Sequence, residues 1–216
     1  VTYDGNEHSV SGFTGAPEGA DFSDITVSAK GTNAGTYPAA FAKDTVGKVD
    51  ATNKYIITKA TDGALVIDPI KEKTITITAN SNSKTYDGTP LTDSGYSYTQ
   101  GVLVDGDVLT AVVEGSATNV GDAGANVVKS YKVMRGEEDV TANYTFGESV
   151  DGKLTINPRP VTLTSETASK PYDGTPLTRP NVTVGGMGFV EGEVSDIKAT
   201  GSVTYVDEGE VTNTIT

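Results

Sequence analysis

Short segments in which apolar and polar residues alternate run through this chain. Thr74-Ile75-Thr76-Ile77-Thr78 and Val161-Thr162-Leu163-Thr164 both change polarity at every residue, which is typical of a strand with one buried face. Further strands are predicted at 109–114, 127–134 and 153–157. No stretch keeps apolar residues at helical spacing for three turns. The pattern therefore predicts an all-β chain.

Glycine and proline separate the predicted strands. Turns are expected at 105–107 and 150–152, where a glycine readily adopts positive φ. The segment 157–160, Asn-Pro-Arg-Pro, is predicted to be a short and stiff joint. Proline donates no hydrogen bond to a sheet and keeps the preceding residue extended.

A tripeptide motif recurs three times at nearly constant spacing, and its tyrosines lie 83 and 86 residues apart. The three copies are Tyr3-Asp4-Gly5, Tyr86-Asp87-Gly88 and Tyr172-Asp173-Gly174. Other landmarks keep the same order, such as Gly-Ser-x-Thr at 115–118 and 201–204, and Leu-x-Ile-x-Pro at 65–69 and 154–158. A fixed period of this length indicates a tandem array.

The repeat predicts three consecutive modules, which are 1–69 (repeat 1), 70–158 (repeat 2) and 159–216 (repeat 3). Repeat 2 is complete, whereas repeat 1 is truncated at its opening strand and repeat 3 lacks the closing elements. We therefore expect the chain to be an internal piece of a longer protein.

The spacing of strands and turns predicts the architecture of each module. About seven short strands, with a turn every 8–12 residues or so, favour an immunoglobulin-like two-sheet β-sandwich. Because the joints are short, we expect the modules to be arranged end to end. The alternative is a β-grasp-like module with one short helix around 103–109.

The charge balance narrows the range of partners. The chain has 29 Asp and Glu against 16 Lys and Arg, giving a formal net charge of -13. A polyanion repels phosphate backbones and anionic lipids, so we expect no nucleic acid partner. No segment approaches the roughly 20 apolar residues of a membrane span, so no membrane insertion is expected. There is no cysteine, which excludes disulfides and thiolate sites.

The repeated Tyr-Asp-Gly motif is the main candidate site. The simpler interpretation is structural, with a buried tyrosine whose hydroxyl is hydrogen-bonded, followed by a turn that Asp and Gly form. A functional interpretation would make each tyrosine part of a surface that stacks on carbohydrate. The sequence favours the structural role.

Other candidate chemistry is sparse. Asp105, Asp107 and Glu114 offer oxygens to calcium, but that ion takes 6–8 ligands, and an exposed turn is the favoured interpretation. His8 is the only histidine and lies in repeat 1, so a histidine-based triad or metal site would occur in one copy alone. We predict no catalytic residue, no metal site and no cofactor, and therefore no enzyme.

The Lys-x-Tyr-Asp-Gly-Thr-Pro-Leu signature at 84–91 and 170–177, with the closing Gly-x-Leu-x-Ile-x-Pro at 152–158, resembles the YDG and MBG repeat domains. These occur in arrays in bacterial cell-surface proteins and adhesin-like proteins. Repeat 1 departs from the signature, with Val1 in place of the lysine and Asn6-Glu7-His8 in place of Thr-Pro-Leu. The resemblance implies an extracellular, stalk-like segment at the bacterial cell surface and no catalytic residues.

The leading hypothesis is a non-catalytic spacer segment of a bacterial surface protein, with adhesion as a second role. Its partner would be an unidentified glycan or protein of a host or the environment, and we expect a monomer. The alternative is a carbohydrate-binding module of a secreted polysaccharide-active protein. The absence of tryptophan and an aromatic share of 7% argue against that alternative, because such modules need exposed, coplanar aromatic rings.

Overall fold

The computed structural model describes every residue from Val1 to Thr216. It contains seventeen strands and two 3₁₀ turns, at Thr141–Asn143 and Val206–Glu208, and no α-helix. The prediction of an all-β chain is confirmed. The strands are β1 His8–Ser11, β2 Ser28–Gly31, β3 Gly35–Ala39, β4 Gly63–Ile67, β5 Ile70–Ile75, β6 Ile77–Ala79, β7 Asn82–Thr85, β8 Tyr96–Tyr98, β9 Asp107–Glu114, β10 Gly124–Arg135, β11 Glu138–Asp139, β12 Tyr144–Phe146, β13 Gly152–Asn157, β14 Val161–Ser165, β15 Leu177–Thr178, β16 Val182–Gly186 and β17 Ser202–Val203.

The strands predicted from alternation are largely present, with two differences. The predicted strand at 74–78 is divided, because β5 ends at Ile75 and β6 begins at Ile77. The N–H of Thr76 donates to Thr99 Oγ1 at 3.1 Å. This N–H is therefore not part of the backbone hydrogen bonding between strands. The β-grasp alternative predicted a short helix around 103–109, and this prediction is wrong. A turn at 105–106 is followed directly by β9.

The chain divides into two compact units. Unit 1 comprises 1–80, 94–114 and 127–151, and unit 2 comprises 81–93, 115–126 and 152–216. Repeat 1 lies wholly in unit 1 and repeat 3 wholly in unit 2, whereas segments of repeat 2 enter both. The three consecutive modules stay a prediction, and the compact units cut across their boundaries.

Unit 1 is built from small sets of paired strands around one core. The pairs β1–β2, β3–β4 and β6–β8 are antiparallel, and β5 pairs with β12 in parallel. Residues 127–135 of β10 pair with β9, and the last two of them also pair with β11. The core contains Ile67, Ile75, Ile77 and Val133, all almost fully buried. Burial of each such side chain contributes about 1.5–3 kcal/mol.

Unit 2 has a smaller core. Strand β13 lies between β7, with which it is parallel, and residues 124–126 of β10, with which it is antiparallel. The pairs β14–β16 and β15–β17 are antiparallel. The buried apolar residues are Leu91, Ala117, Leu154 and Ile156, and Tyr86 packs partly against them.

The strand registers of the repeats coincide. Ile77 is paired with Tyr98 in repeat 2, and Leu163 is paired with Val184 in repeat 3, 86 residues later on both strands. The same offset relates the Leu91–Ala117 bridge to the Leu177–Val203 pair, and the His8–Gly31 pair takes the corresponding place in repeat 1. The sequence repeat is thus also a repeat of backbone pairing.

Candidate functional site

The three Tyr-Asp-Gly motifs form turns of the same backbone shape. Their glycines, Gly5, Gly88 and Gly174, have φ of 79°, 78° and 76°, in the left-handed region that favours glycine. Each turn is closed by its aspartate, which accepts a hydrogen bond from the N–H two residues further on. These bonds are Asn6 N to Asp4 Oδ1 at 2.9 Å, Thr89 N to Asp87 Oδ1 at 2.9 Å and Thr175 N to Asp173 Oδ1 at 3.0 Å.

A lysine fixes the motif aspartate in repeats 2 and 3. Lys84 Nζ lies 2.7 Å from Asp87 Oδ1, and Lys170 Nζ lies 2.8 Å from Asp173 Oδ1. Each ammonium also donates to the threonine hydroxyl two residues after the aspartate, at 2.6 Å. The lysine, and then the threonine, hold the pKa of Asp87 and of Asp173 well below the usual value.

Repeat 1 uses a different partner at the same aspartate. His8 Nε2 lies 2.9 Å from Asp4 Oδ1. The pKa of Asp4 is lowered, first by hydrogen bonding to Asn6 and then by His8. The only histidine of the chain therefore replaces the lysine that Val1 cannot supply, and its ring is engaged in the turn.

The three motif tyrosines differ in burial. Tyr3 is 3% exposed and its hydroxyl donates to Asp107 Oδ2 at 3.0 Å. Tyr86 is half-buried and its hydroxyl donates to Glu193 Oε1. Tyr172 is 61% exposed, and its ring lies beside that of Tyr205 with 6.4 Å between centroids. The expected buried tyrosine is found in repeat 1, in part in repeat 2, and not in repeat 3.

The acidic residues that accept hydrogen bonds from Tyr3 and Tyr86 occupy equivalent positions in successive repeats. Asp107 follows Asp105-Gly106 in repeat 2, and Glu193 follows Glu191-Gly192 in repeat 3, 86 residues later. Tyr3 thus reaches the acid of repeat 2, and Tyr86 reaches the acid of repeat 3. In both units the tyrosine of one repeat is bonded to the acid of the next.

Asp107 is the centre of a buried polar cluster, which we call the Asp107 cluster and which also contains Tyr3, Tyr144 and Arg135. Tyr144 donates its hydroxyl to the same Oδ2 as Tyr3. Arg135 Nε lies 2.7 Å from Oδ1, and Arg135 also donates to the Tyr3 hydroxyl at 3.2 Å. One carboxylate therefore accepts from two phenols and pairs with a guanidinium.

The cluster shifts the ionisation of its members. Burial, and then the hydrogen bond to Asp107, raise the pKa of Tyr3 and of Tyr144. The hydrogen bond to Asp107 also raises the pKa of Arg135. Both phenols stay neutral donors and the guanidinium stays charged, so the arrangement holds segments together through a fixed pattern of donors and one acceptor.

The interpretation of Asp107 as part of an exposed turn is wrong, because its side chain has no exposed surface. Asp105, beside it, is exposed as expected. The available sequence signal was the recurrence of an acid at 107 and 193 with the same offset as the tyrosines. Arg135 gave no such signal, since residues 1–216 contain no matching position in repeat 3.

No group of three or more His, Cys, Asp or Glu side chains is placed to hold a metal ion. No helix of the structure has the length and apolar character needed to cross a membrane. Comparisons with family models, with curated proteins and with solved structures find no match to this chain.

Proposed function

We propose that this chain is a non-catalytic spacer segment of a bacterial cell-surface protein, built from YDG/MBG-type repeats and located outside the cell. Adhesion is a second role of the same segment. Its partner would be a glycan or a protein of a host or the environment, and the segment acts as a monomer.

The observation that carries this proposal is the bond from the tyrosine of one repeat to the acid of the next. Tyr3–Asp107 and Tyr86–Glu193 are two instances of it. In a repeat array, stability depends on the interfaces between neighbours as well as on each repeat. Repeats joined in this way resist separation, as a spacer under tension requires.

A non-catalytic role is further supported by the Asp107 cluster. The carboxylate at its centre is buried, and each member of the cluster is bonded to another member. A catalytic acid or base needs access to a substrate proton. The bonds of the cluster instead join segments far apart in the sequence.

The fold of each repeat and the order of the repeats are part of the same proposal. We propose that the repeats are small β-sandwich modules of immunoglobulin-like type that follow one another end to end. Solution X-ray scattering tests this arrangement. A compact chain of this length has a radius of gyration of about 17 Å, and the proposal predicts a clearly larger value; a value near 17 Å contradicts it.

One observation favours the alternative of a carbohydrate-binding module. Tyr172 and Tyr205 are 61% and 57% exposed, and their rings are inclined by 32°, so two aromatic faces are open to solvent. A glycan array on the whole chain separates the two functions. The spacer proposal predicts no binding that depends on these rings. Clear binding that is lost in Tyr172→Ala and Tyr205→Ala, but kept in Tyr55→Ala, would favour the alternative.

A further inference from the structure

The first and last segments of repeat 2 pair with each other in the same direction. In unit 2, β7 pairs in parallel with β13. In unit 1, β5 pairs in parallel with β12, and Thr78 forms a parallel bridge with Val150. The opening segment, residues 70–85, and the closing segment, residues 144–157, are thus joined by a parallel ladder in each unit.

The ladder between β7 and β13 is extended at both ends by further hydrogen bonds. At one end, Lys153 N donates to Ser81 Oγ at 2.9 Å. At the other end, Tyr86 N donates to Asn157 O at 2.9 Å. The contacts between the two strands therefore reach one residue beyond β7 in each direction.

The ladder in unit 1 also has bonds outside its two named strands. Val150 N donates to Ile77 O at 2.8 Å, and Ala79 N donates to Val150 O at 2.9 Å. The hydroxyl of Thr145 donates to Ile70 O at 2.9 Å. The opening and closing segments are therefore also bonded to each other beyond the end of β12.

Both ladders lie beside buried apolar side chains. Leu154 and Ile156 of β13 are 0% and 4% exposed, and Ile75 and Ile77 of the opening segment are 0% and 1% exposed. A hydrogen bond in such surroundings is electrostatically stronger than one in water. The two ladders are therefore held in the cores of their units and not at an open edge.

Repeat 1 has part of the same arrangement. Thr2 and Asp68 form a parallel bridge. Asp68 N donates to Val1 O at 2.7 Å, and Tyr3 N donates to Asp68 O at 2.9 Å. The second bond is the counterpart of the one that Tyr86 N makes in repeat 2. In both repeats, the N–H of the motif tyrosine bonds the first strand to the last.

Short joints connect this pairing to the neighbouring repeats. Only Asp68 and Pro69 separate β4 from β5, and only residues 158–160 separate β13 from β14. Prolines in both joints keep the backbone extended. Tension along the chain therefore enters repeat 2 at the start of the opening segment and leaves it at the end of the closing segment, with little slack.

The parallel direction determines how such tension acts on the ladder. Tension draws β7 towards its N-terminal end and β13 towards its C-terminal end. In a parallel pair these two pulls are opposite along one axis, so the strands must slide past each other and break their hydrogen bonds together. An antiparallel pair of terminal strands would instead be peeled apart from one end, one bond at a time.

We propose that the parallel ladder between β7 and β13 is a mechanical clamp, through which repeat 2 transmits tension along the chain without unfolding. The ladder between β5 and β12 is loaded in the same sense and adds to the resistance. The clamp deepens the proposed spacer role, and its purpose rests on that role. Forced unfolding is governed by the unfolding rate, so the clamp raises the barrier to unfolding in one direction of pulling.

Single-molecule force spectroscopy on the whole chain tests the clamp. The chain has no cysteine, so two introduced cysteines are unique attachment points. The variant Lys71→Cys/Pro158→Cys is pulled along the ladders. The variant Pro90→Cys/Pro158→Cys places both attachment points after the C-terminal ends of β7 and β13, and its pull peels the same ladder. All three positions are exposed.

We expect the first variant to rupture at a force higher than that of the second by about twofold or more, because several backbone hydrogen bonds must break together and not in turn. Its rupture should release about 290–310 Å of contour length, the extended length of residues 71–158. Cooperative thermal unfolding of both variants, followed by circular dichroism, is the control for correct folding.

A rupture force in the first variant that is equal to or lower than that in the second overturns the clamp. This result would not affect the spacer role, which the scattering measurement tests separately. Conversely, a compact chain in scattering that still shows the difference in force would keep the clamp and contradict the end-to-end spacer.

Discussion

The hydroxyl of Tyr3 donates a hydrogen bond of 3.0 Å to Oδ2 of Asp107, 104 residues further along the chain. Tyr3 belongs to repeat 1 and Asp107 to repeat 2. The same relationship joins Tyr86 of repeat 2 to Glu193 of repeat 3. In repeats 1 and 2, the motif that marks the repeat in the sequence thus also bonds that repeat to the next one.

Removing the Tyr3 hydroxyl tests this role. Tyr3→Phe keeps the buried ring and deletes a hydrogen bond to a carboxylate, and we expect unit 1 to lose about 1.5–3 kcal/mol of unfolding free energy in urea. Tyr172→Phe is the matched control, since that ring is exposed and no bond of its hydroxyl is seen. Equal losses in the two variants would mean that the bond to Asp107 contributes nothing.

Neutralising Asp107 should lower the free energy of unfolding more than removing one of its hydrogen-bond donors does. In Asp107→Asn, Arg135 loses its counter-ion and the new amide N–H groups face donors. Because Arg135 is partly exposed, we expect a loss of about 3 kcal/mol, at the low end for breaking a buried ion pair. Asp105→Asn, at the exposed neighbouring acid, should stay within about 0.5 kcal/mol of the wild type. Urea denaturation of both variants measures the two losses. If Asp107→Asn lowers the free energy of unfolding no more than Asp105→Asn, the Asp107 cluster does not stabilise the fold.

Local pattern was enough to predict some of the strands. Alternation over two residues located β14, although no residue of that strand is buried. Much of β9, β10 and β13 was also predicted, and β9 and β13 each have one buried face. Alternation failed at Thr76, where a side-chain bond to Thr99 interrupts the ladder. Such a bond depends on which segment is adjacent in the fold, and the sequence pattern does not record that.

The candidate site was only half predictable. The motif turn follows from Asp and Gly, whose conformational preferences are local. The acceptor of the tyrosine hydroxyl lies more than a hundred residues away. A repeat in the sequence does not say whether Tyr86 bonds within its own repeat or with the next, because both repeats carry an acidic residue at this position, Asp107 and Glu193.

The motif glycines should differ in their tolerance of alanine. Gly88→Ala and Gly174→Ala both place a Cβ at positive φ, which costs about 1–2 kcal/mol. At Gly88 the Cβ also meets Val190 Cγ1 at 3.1 Å, whereas at Gly174 nothing lies within 4 Å. We therefore expect Gly88→Ala to be the more destabilising variant in thermal unfolding. The reverse order would mean that Gly88 does not pack against repeat 3.

Stability of unit 1 should fall in alkaline solution. Burial and Asp107 raise the pKa of Tyr3 and Tyr144, so the folded state keeps protons that the unfolded chain releases above about pH 10. The stabilisation is complete below that pH and is lost as pH rises through the raised pKa. Urea denaturation between about pH 9 and pH 11 should show this loss, and the Tyr3→Phe/Tyr144→Phe double variant should show a smaller one. An equal loss of stability in both proteins would mean that groups other than Tyr3 and Tyr144 cause the alkaline destabilisation.

A compact unit of this chain requires parts of two successive repeats. Thermal unfolding of residues 70–158 alone, followed by circular dichroism and compared with the whole chain, measures this requirement. The isolated segment has one full sequence repeat but lacks Tyr3 and β4, which belong to the core of unit 1. We predict that it shows no cooperative transition under conditions where the whole chain does. A cooperative transition at the same midpoint would contradict the account and establish residues 70–158 as an autonomous module.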